Sequence, residues 1–369
     1  MTRVNPDFST ILVNFQLEGV FLEAFPYGDG HINDTYLARF EESGGRVRNY
    51  ILQRINHAVF KNPEAVMHNM ERVTTHIRNA VESAGGDASR KTITLVPTLE
   101  GKSFYLGNNG NYWRVHHFIE GAITYQRAAN LGHYYHAGRA FGEFLNLLGD
   151  YPTDELYETI PDFHHTPKRF QAFLKALEAD PLNRAVDVKP EINFVLQREP
   201  GTRVLVDLLG SGAMPERVTH NDTKIDNVMM DDETGEGVCV IDLDTVMPGL
   251  AVFDFGDSVR SGANPAAEDE PDPARVVFDL DVFDRLAHGF LDATRDMLMP
   301  VEVANLAFGA RLITLEQGIR FLTDYLTGDN YYKTHRPNQN LDRTRTQLKM
   351  VADMENHADD MEAIITRYR

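Results

Sequence analysis

The chain has 369 residues but only one cysteine, Cys239, and one tryptophan, Trp113. A single cysteine excludes an intramolecular disulfide and a cysteine-rich zinc site, and it fits a reducing compartment. No apolar run reaches the ~18 residues that span a bilayer. Met1 to Leu12 lacks the basic-then-apolar layout of a secretory signal. The expectation is a cytoplasmic protein with no membrane partner. Positive charge is also scarce: 36 Lys and Arg stand against 55 Asp and Glu, a net charge of −19. Phosphate backbones demand clustered positive charge, so a nucleic-acid partner is not expected. No Walker sequence G-x-x-x-x-G-K-[ST] occurs, which argues against a P-loop fold. There are no repeats, coiled coils or low-complexity tracts.

What remains is ordinary globular material, 42% hydrophobic and 25% charged, with length for two lobes. Charge is unevenly spread: residues 1–120 carry 12 basic and 13 acidic side chains, whereas residues 121–369 carry 24 and 42. The first ~115 residues read as a small sheet with one helix. Tyr36–Phe40 and Tyr50–Ile55 flank a Ser43-Gly44-Gly45 turn as a hairpin. Asn62-Pro63 reads as N-cap and first turn of a helix carrying Val66, Met70, Val73 and Ile77 on one face. Thr92 to Leu99, Ser103 to Leu106 and Tyr112 to Phe118 are further strand candidates. From about Glu120 the period becomes helical, over Tyr134–Leu148, Pro167–Leu177, Val282–Leu298 and Val301–Leu326. A last stripe runs from Leu341 to Ile365. Ala263 to Ala274, acidic and broken by proline, reads as a disordered surface turn.

The stretch from Arg217 to Asp257 carries the chemistry. His220-Asn221-Asp222-Thr223-Lys224-Ile225-Asp226-Asn227 precedes a strand, a turn at Asp231–Gly237, and a returning strand that ends in Asp242-Leu243-Asp244. Pairing Met230 with Cys239 would set Asn227 opposite Asp242, with Cα atoms roughly 5 Å apart. Hard oxygen donors of this kind suit Mg2+, which is held by one or two carboxylates plus substrate phosphates. Phosphoryl transfer needs such a set: one Asp to orient the attacking hydroxyl, and an Asn and a second Asp to hold the metal. The five-residue step from Asp222 to Asn227 is that of the protein-kinase catalytic loop. Lys224 stands two residues from Asp222, within reach of a transferring phosphoryl group. Each residue alone could be a turn or cap; the constellation is hard to produce that way. The paired histidines His116-His117 and His164-His165 lack a third metal ligand, and structural roles are expected.

These residues resemble the catalytic core of the aminoglycoside phosphotransferase and choline kinase group, within the protein-kinase-like fold. That group's short motif is His-Gly-Asp, four residues, Asn, then Ile-Asp; here Asn221 replaces the Gly. The wording His220 to Lys224, Ile241 to Thr245 and Phe253-Asp254-Phe255-Gly256-Asp257-Ser258 is similar to the N-acetylhexosamine 1-kinases. Tyr27 to Asn33, Trp113-Arg114-Val115, Arg320-Phe321-Leu322 and Arg343 to Gln347 extend the likeness over most of the chain.

The resemblance implies an α+β, two-lobed fold: a small antiparallel-sheet lobe over residues 1–117 that binds ATP, and a helical lobe over residues 118–369 with the catalytic loop and acceptor site. It implies Asp222 and Lys224 as catalytic residues, and Asn227 and Asp242 as Mg2+ ligands. Gly28 and Gly30 would lie over the ATP phosphates, Gln53 beside them, and Phe118 to Glu120 at the adenine. Asp29, His31, Arg320 and Tyr331 would face a sugar whose anomeric hydroxyl is phosphorylated. ATP and a small acceptor are the partners implied, with no obligate protein partner. Other acceptors (another sugar, an amino alcohol, an aminoglycoside) and a catalytically silent binding protein are the competing readings.

Two departures stand out. Kinases carry a phosphate-binding Lys on the third strand, normally partnered by a helix Glu. The matching position is Gln53, which is neutral, while Arg54 points to the opposite face and Glu71 takes the helix position. After Arg260 the resemblance leads one to expect an aromatic residue; Ser261 stands there, implying a wider acceptor pocket.

Overall fold

The computed structural model describes residues 6–28 and 32–369. Contacts divide the chain into two units: Met1–Ala122 with Asp154–Ile160 and Cys239–Met247, and Ile123–Thr153 with Pro161–Val238 and Pro248–Arg369. The architecture is α+β, with an antiparallel sheet near the N-terminus and a mainly helical remainder.

In the first unit, the short helix α1 (Phe8–Leu12) precedes strands β1 (Val20–Pro26), β2 (Asp34–Glu41) and β3 (Val47–Ile55). Then come α2 (Pro63–Ser83), β4 (Leu95–Val96), β5 (Tyr105–Leu106) and β6 (Tyr112–His117). The sheet runs β1-β2-β3-β6-β4, with β5 also on β6. The expected hairpin is β2–β3, with Leu37 opposite Ile51. Its turn uses Gly44 and Gly45 at φ +98° and +79°, which a side chain would resist. Asn62 caps α2 by accepting from the Ala65 N–H at 3.1 Å, and Val66, Met70, Val73 and Ile77 are buried. Tyr36, Phe40, Tyr50, Leu52, Trp113 and Val115 form the core beneath the sheet.

The expected strand from Thr92 to Leu99 shrinks to two residues, because Pro97 has no N–H for the ladder. Strand β1 escaped the sequence reading; its residues are mostly exposed and show no clean alternation.

In the second unit, α3 (Leu131–Leu147), α4 (Thr166–Ala179), α5 (Lys189–Leu196) and α6 (Val204–Gly210) precede the short strands β8 (Arg217–Thr219) and β9 (Val228–Asp231). Strands β7 (Ala122–Ile123), β10 (Gly237–Val240) and β11 (Met247–Gly249) cross the unit boundaries. Helices α7 (Ala251–Gly262), α8 (Leu280–Thr294), α9 (Pro300–Val303), α10 (Leu306–Thr327), α11 (Gln339–Asn356) and α12 (Ala358–Tyr368) complete it.

Two long periodic stretches are broken. Asn305 turns its amide onto the Val301 carbonyl at 2.8 Å and separates α9 from α10. His357 leaves the helix and bonds Asp360 in the first turn of α12. The acidic loop is not a free surface turn: Glu268 pairs with Arg260 at 3.1 Å, Asp269 accepts from Gln339 at 2.9 Å, and Glu270 is buried against Arg275. Among the described residues, no helix is long and apolar enough to cross a membrane.

Helices α3 and α8 meet backbone to backbone. A Cβ at Gly289 would fall within the carbonyl oxygen of Tyr135, and one at Gly138 within that of Leu286. Gly289→Ala should therefore cost about 2–3 kcal/mol in chemical denaturation. Gly210→Ala, where a Cβ meets open space, should stay within roughly 0.5 kcal/mol of the parent.

Candidate active site

Strand β8 delivers the loop His220–Lys224, and a single 3-10 turn over Ile225–Asn227 returns the chain into β9. The loop is held by Asp254 of α7. One carboxylate oxygen accepts from the His220 N–H at 2.8 Å, the other from the Asn221 N–H at 2.7 Å, and the Thr223 hydroxyl donates to the Asp254 carbonyl. Asp254 is fully buried; burial pushes its carboxyl up to about 6, against the lowering by His220 and the two backbone donors. Asn221 sits at φ +65°, the left-handed region. Gly is the usual residue for that conformation and Asn the most tolerant replacement, which accounts for the departure from His-Gly-Asp. The His220 ring packs against Phe141 and Phe144, with centroids 5.6 and 5.8 Å away, and its Nδ1 accepts the Asp222 N–H at 3.2 Å.

Asp222, Lys224 and Asn227 converge. Lys224 Nζ lies 3.2 Å from Asp222 Oδ2. Asn227 Nδ2 donates to the Asp222 carbonyl at 2.8 Å and to its carboxylate at 3.2 Å. Burial pushes the Asp222 carboxyl up, but Lys224, His220 and Arg260 outweigh it and hold the group below the usual carboxylate range. Asp222 is thus an ionised acceptor at neutral pH. Arg260 is itself buried and stays charged through Asp257 at 2.6 Å and Glu268.

The hairpin register differs from the one expected. The Asp231 N–H reaches the Glu236 carbonyl at 2.8 Å and the Gly235 N–H returns to Asp231 at 2.9 Å. Gly235, at φ +72°, lets the chain close the turn over Asp232–Gly235, tighter than expected. Asp231 therefore faces Glu236, two residues away from the Met230–Cys239 pairing, and the opposition of Asn227 and Asp242 does not follow from strand register.

Asp242 belongs to the first unit and adopts the left-handed conformation, φ 58° and ψ 55°. Two residues on, Asp244 is buried in an ion pair with Arg114 of β6 and accepts from Asn33 Nδ2 at 2.5 Å. Arg114 Nε donates to Gln53 Oε1 at 2.8 Å, across the β3–β6 register, and Gln53 Nε2 donates to Thr35 at 3.1 Å. Thr159 donates to the Asp244 carbonyl at 3.1 Å and Asn69 of α2 to that of Val246 at 2.9 Å. Both ends of the Gln53 amide are thus engaged within the protein. The cation that Gln53 lacks stands next to it on β6, a residue that sequence reasoning passed over. The only signal was an arginine in the middle of an otherwise aromatic and aliphatic strand. Arg54 pairs with Asp34 and Glu71 is exposed, so neither joins this network.

Asn227 fits a cation ligand. Its NH2 is committed to Asp222, which turns Oδ1 away, and among the described residues that oxygen accepts no hydrogen bond. No group of three or more His, Cys, Asp or Glu side chains among the described residues has metal-binding geometry. A two-ligand magnesium site completed by phosphates does not require one.

On α10, Arg320 donates to Gln317 Oε1 at 3.1 Å, and its guanidinium carbon lies 5.1 Å from the Phe163 ring and 5.8 Å from that of Tyr332. Asp324, four residues on, does not pair with it. That carboxylate accepts the N–H groups of Asn330, Tyr331 and Tyr332 and the Asn340 amide. Burial opposes the charge of Arg320, but Tyr332, Glu316 and the exposed Tyr331 outweigh it and raise its pKa, which sets Tyr331 near the guanidinium. Arg169, missed in the sequence, lies close by: burial and then the charge of Arg320 lower its pKa. Its fork rests on the Phe163 carbonyl at 2.9 and 3.1 Å. The Ser261 hydroxyl bonds back to the Asp257 carbonyl at 2.9 Å, within its own helix. In the first unit, Phe118 meets the ring of Tyr27, next to Gly28, at 5.9 Å, and Glu120 accepts from Asn49 at 3.1 Å. Asp29, Gly30 and His31 lie outside the described residues.

Comparison with known proteins follows from this geometry. The chain is similar along 98% of its length to 98% of an aminoglycoside phosphotransferase structure from Alicyclobacillus acidocaldarius, at 12% identity and a TM-score of 0.61. A microcompartment-associated aminopropanol kinase aligns over 95% of this chain and 96% of its own, at 14% identity and a TM-score of 0.56. An amicoumacin kinase aligns over 93% of each chain, at 13% identity and a TM-score of 0.56. Such distant likenesses fix the fold alone, and it is the kinase-like phosphotransferase fold. The family model described as "Phosphotransferase enzyme family" matches residues 24–289, a span that begins in β1 and ends in α8, so the chain belongs to the phosphotransferase enzyme family.

Proposed function

We propose that the chain is an ATP- and magnesium-dependent kinase that phosphorylates the anomeric hydroxyl of an N-acetylhexosamine, N-acetylglucosamine or N-acetylgalactosamine. One observation carries the choice of acceptor: Arg320 and Arg169 lie close together, and among the described residues neither guanidinium makes a direct ion pair, Glu316 acting on both only from farther away. In a chain of net charge −19, this local excess of positive charge opposes a cationic amino alcohol or aminoglycoside. It favours an acceptor rich in hydroxyl and carbonyl oxygens, which guanidinium and phenol groups bind well. The acceptor residues connect to the catalytic loop through Glu316, one turn before Arg320, and His164, which touches both Glu316 and Asn221.

In this reading Asp222, ionised and fixed by Lys224 and Asn227, orients the sugar 1-hydroxyl and takes its proton. The sugar oxygen forms its bond to the γ-phosphorus as the bond from that phosphorus to the β,γ-bridging oxygen breaks, and ADP leaves with the bonding electrons. Lys224 offsets charge on the transferring group. Asn227 and Asp242 would hold magnesium, which when bound neutralises charge on the phosphates. The small sheet-rich lobe, residues 1–117, would take ATP through Gly28, Gly30 and the Phe118–Glu120 segment, leaving residues 118–369 for acceptor and catalysis. Asp29 and His31 are proposed sugar contacts. Arg114, through Asp244, would position the segment that carries Asp242. The amicoumacin kinase structure contains AMP-PNP and calcium, which supports a nucleotide with a divalent cation as co-substrate. A need for ATP fits a cytoplasmic enzyme. A silent binding protein is disfavoured by an Asp222 that is ionised and flanked by Lys224.

Three outcomes test this. Asp222→Asn should lower turnover by roughly 100-fold or more while nucleotide affinity and the melting temperature stay near those of the parent. A reducing N-acetylhexosamine should give a glycosyl 1-phosphate, seen in phosphorus NMR as coupling to the anomeric proton, and its methyl glycoside should be inert. Equal activity on the glycoside would overturn the acceptor assignment. As pH falls through about 6, Asp254 gains a proton, and the protonated oxygen can no longer accept a loop N–H. Turnover should fall on this acid side in a pH-rate profile.

A further inference from the structure

His164 stands just before α4, between the rings of Phe163 and Phe253, with centroids 4.5 and 5.3 Å away. Its side chain is 10% exposed and that of Glu316 1%. Nδ1 lies 2.9 Å from Glu316 Oε1, and Nε2 lies 3.2 Å from the carbonyl oxygen of Asn221. The other Glu316 oxygen accepts from the Thr166 hydroxyl at 2.6 Å. Burial pushes the Glu316 carboxyl up, but His164, Thr166 and Arg320 outweigh it and hold it below its usual range.

An ionised carboxylate only accepts hydrogen bonds, and so does a main-chain carbonyl. Both ring nitrogens of His164 therefore face acceptors. Neutral imidazole has a single N–H and would set a bare lone pair against the second acceptor. Imidazolium satisfies both, and it also gives the buried Glu316 carboxylate a charged partner, without which its burial would be costly. The charged groups around the ring are Glu316 from α10 and Asp254 from α7, which favour the cation. Arg320 and Arg169, both near Glu316, oppose it.

We propose that His164, as imidazolium, is a positioning residue for phosphoryl transfer, bridging the buried Glu316 carboxylate to the Asn221 carbonyl and so fixing the left-handed residue beside Asp222. The proposal rests on the assignment of Asp222 as the catalytic group.

Nitrogen NMR of the full-length protein at neutral pH should show both His164 ring nitrogens protonated; one protonated and one bare nitrogen would overturn the bridge. This spectrum needs no substrate, so it separates the bridge from the functional reading. With ATP-magnesium and N-acetylglucosamine, His164→Phe keeps the ring packing and removes both bonds. Its kcat should fall about tenfold or more, with the nucleotide KM within about twofold; an unchanged kcat would overturn the role.

Discussion

Asp254 spends both carboxylate oxygens on the backbone of the loop before Asp222, and its own carbonyl accepts the Thr223 hydroxyl. The geometry of the site depends on that grip. It holds His220 and Asn221 in a conformation the chain would not choose unaided, since Asn221 must sit at positive φ. The Asp222 side chain then falls between Lys224 and Asn227. The cost is a buried carboxylate. It is offset by two N–H donors and the nearby His220 ring, but not fully, as the raised pKa records.

Charge is distributed by the same logic of local pairing. The chain is strongly acidic, yet the groups that matter most for the proposed chemistry are cations: the partly exposed Lys224 at Asp222, and, more removed from water, Arg260 behind it, Arg114 within the sheet, and Arg169 with Arg320. Arg260 and Arg114 are matched to buried carboxylates. Arg169 and Arg320 hydrogen-bond neutral oxygens and share the single carboxylate of Glu316 at longer range, which leaves a local excess of positive charge for a ligand. Net charge says nothing about this, because it sums over a solvated surface that such pockets do not feel.

Local features were legible in the sequence. The β2–β3 hairpin, the Asn62 cap and the α2 stripe each depend on residues a few positions apart, and the Asp222–Asn227 step does bring those two side chains into hydrogen-bond contact. What escaped depends on distant partners or on the backbone conformation of a single turn residue. Arg114 acquires its meaning from Asp244, 130 positions later. His164 was set aside for want of a metal partner, yet its partners are a glutamate 152 positions on and a main-chain carbonyl. The hairpin register slipped because Gly235, in the left-handed region, closes the turn two residues earlier than expected. Arg320 and Asp324 have the spacing of an intrahelical pair, but three backbone N–H groups of the following loop hold the Asp324 carboxylate instead.

The first unit is assembled from three separate stretches, the last of them Cys239–Met247. That stretch supplies Asp244, the counter-charge of Arg114, whose side chain is almost wholly removed from water. A nascent chain that has emerged only as far as β6 would have to bury a guanidinium with no carboxylate to meet it, a penalty of several kcal/mol for a buried ion. The sheet can collapse early, but its polar centre closes only after residue 244 has left the ribosome, by which time much of the helical unit has emerged as well. The two units therefore cannot mature in strict N-to-C order, and a fragment ending near residue 120 would be an incomplete fold rather than a separable nucleotide-binding module.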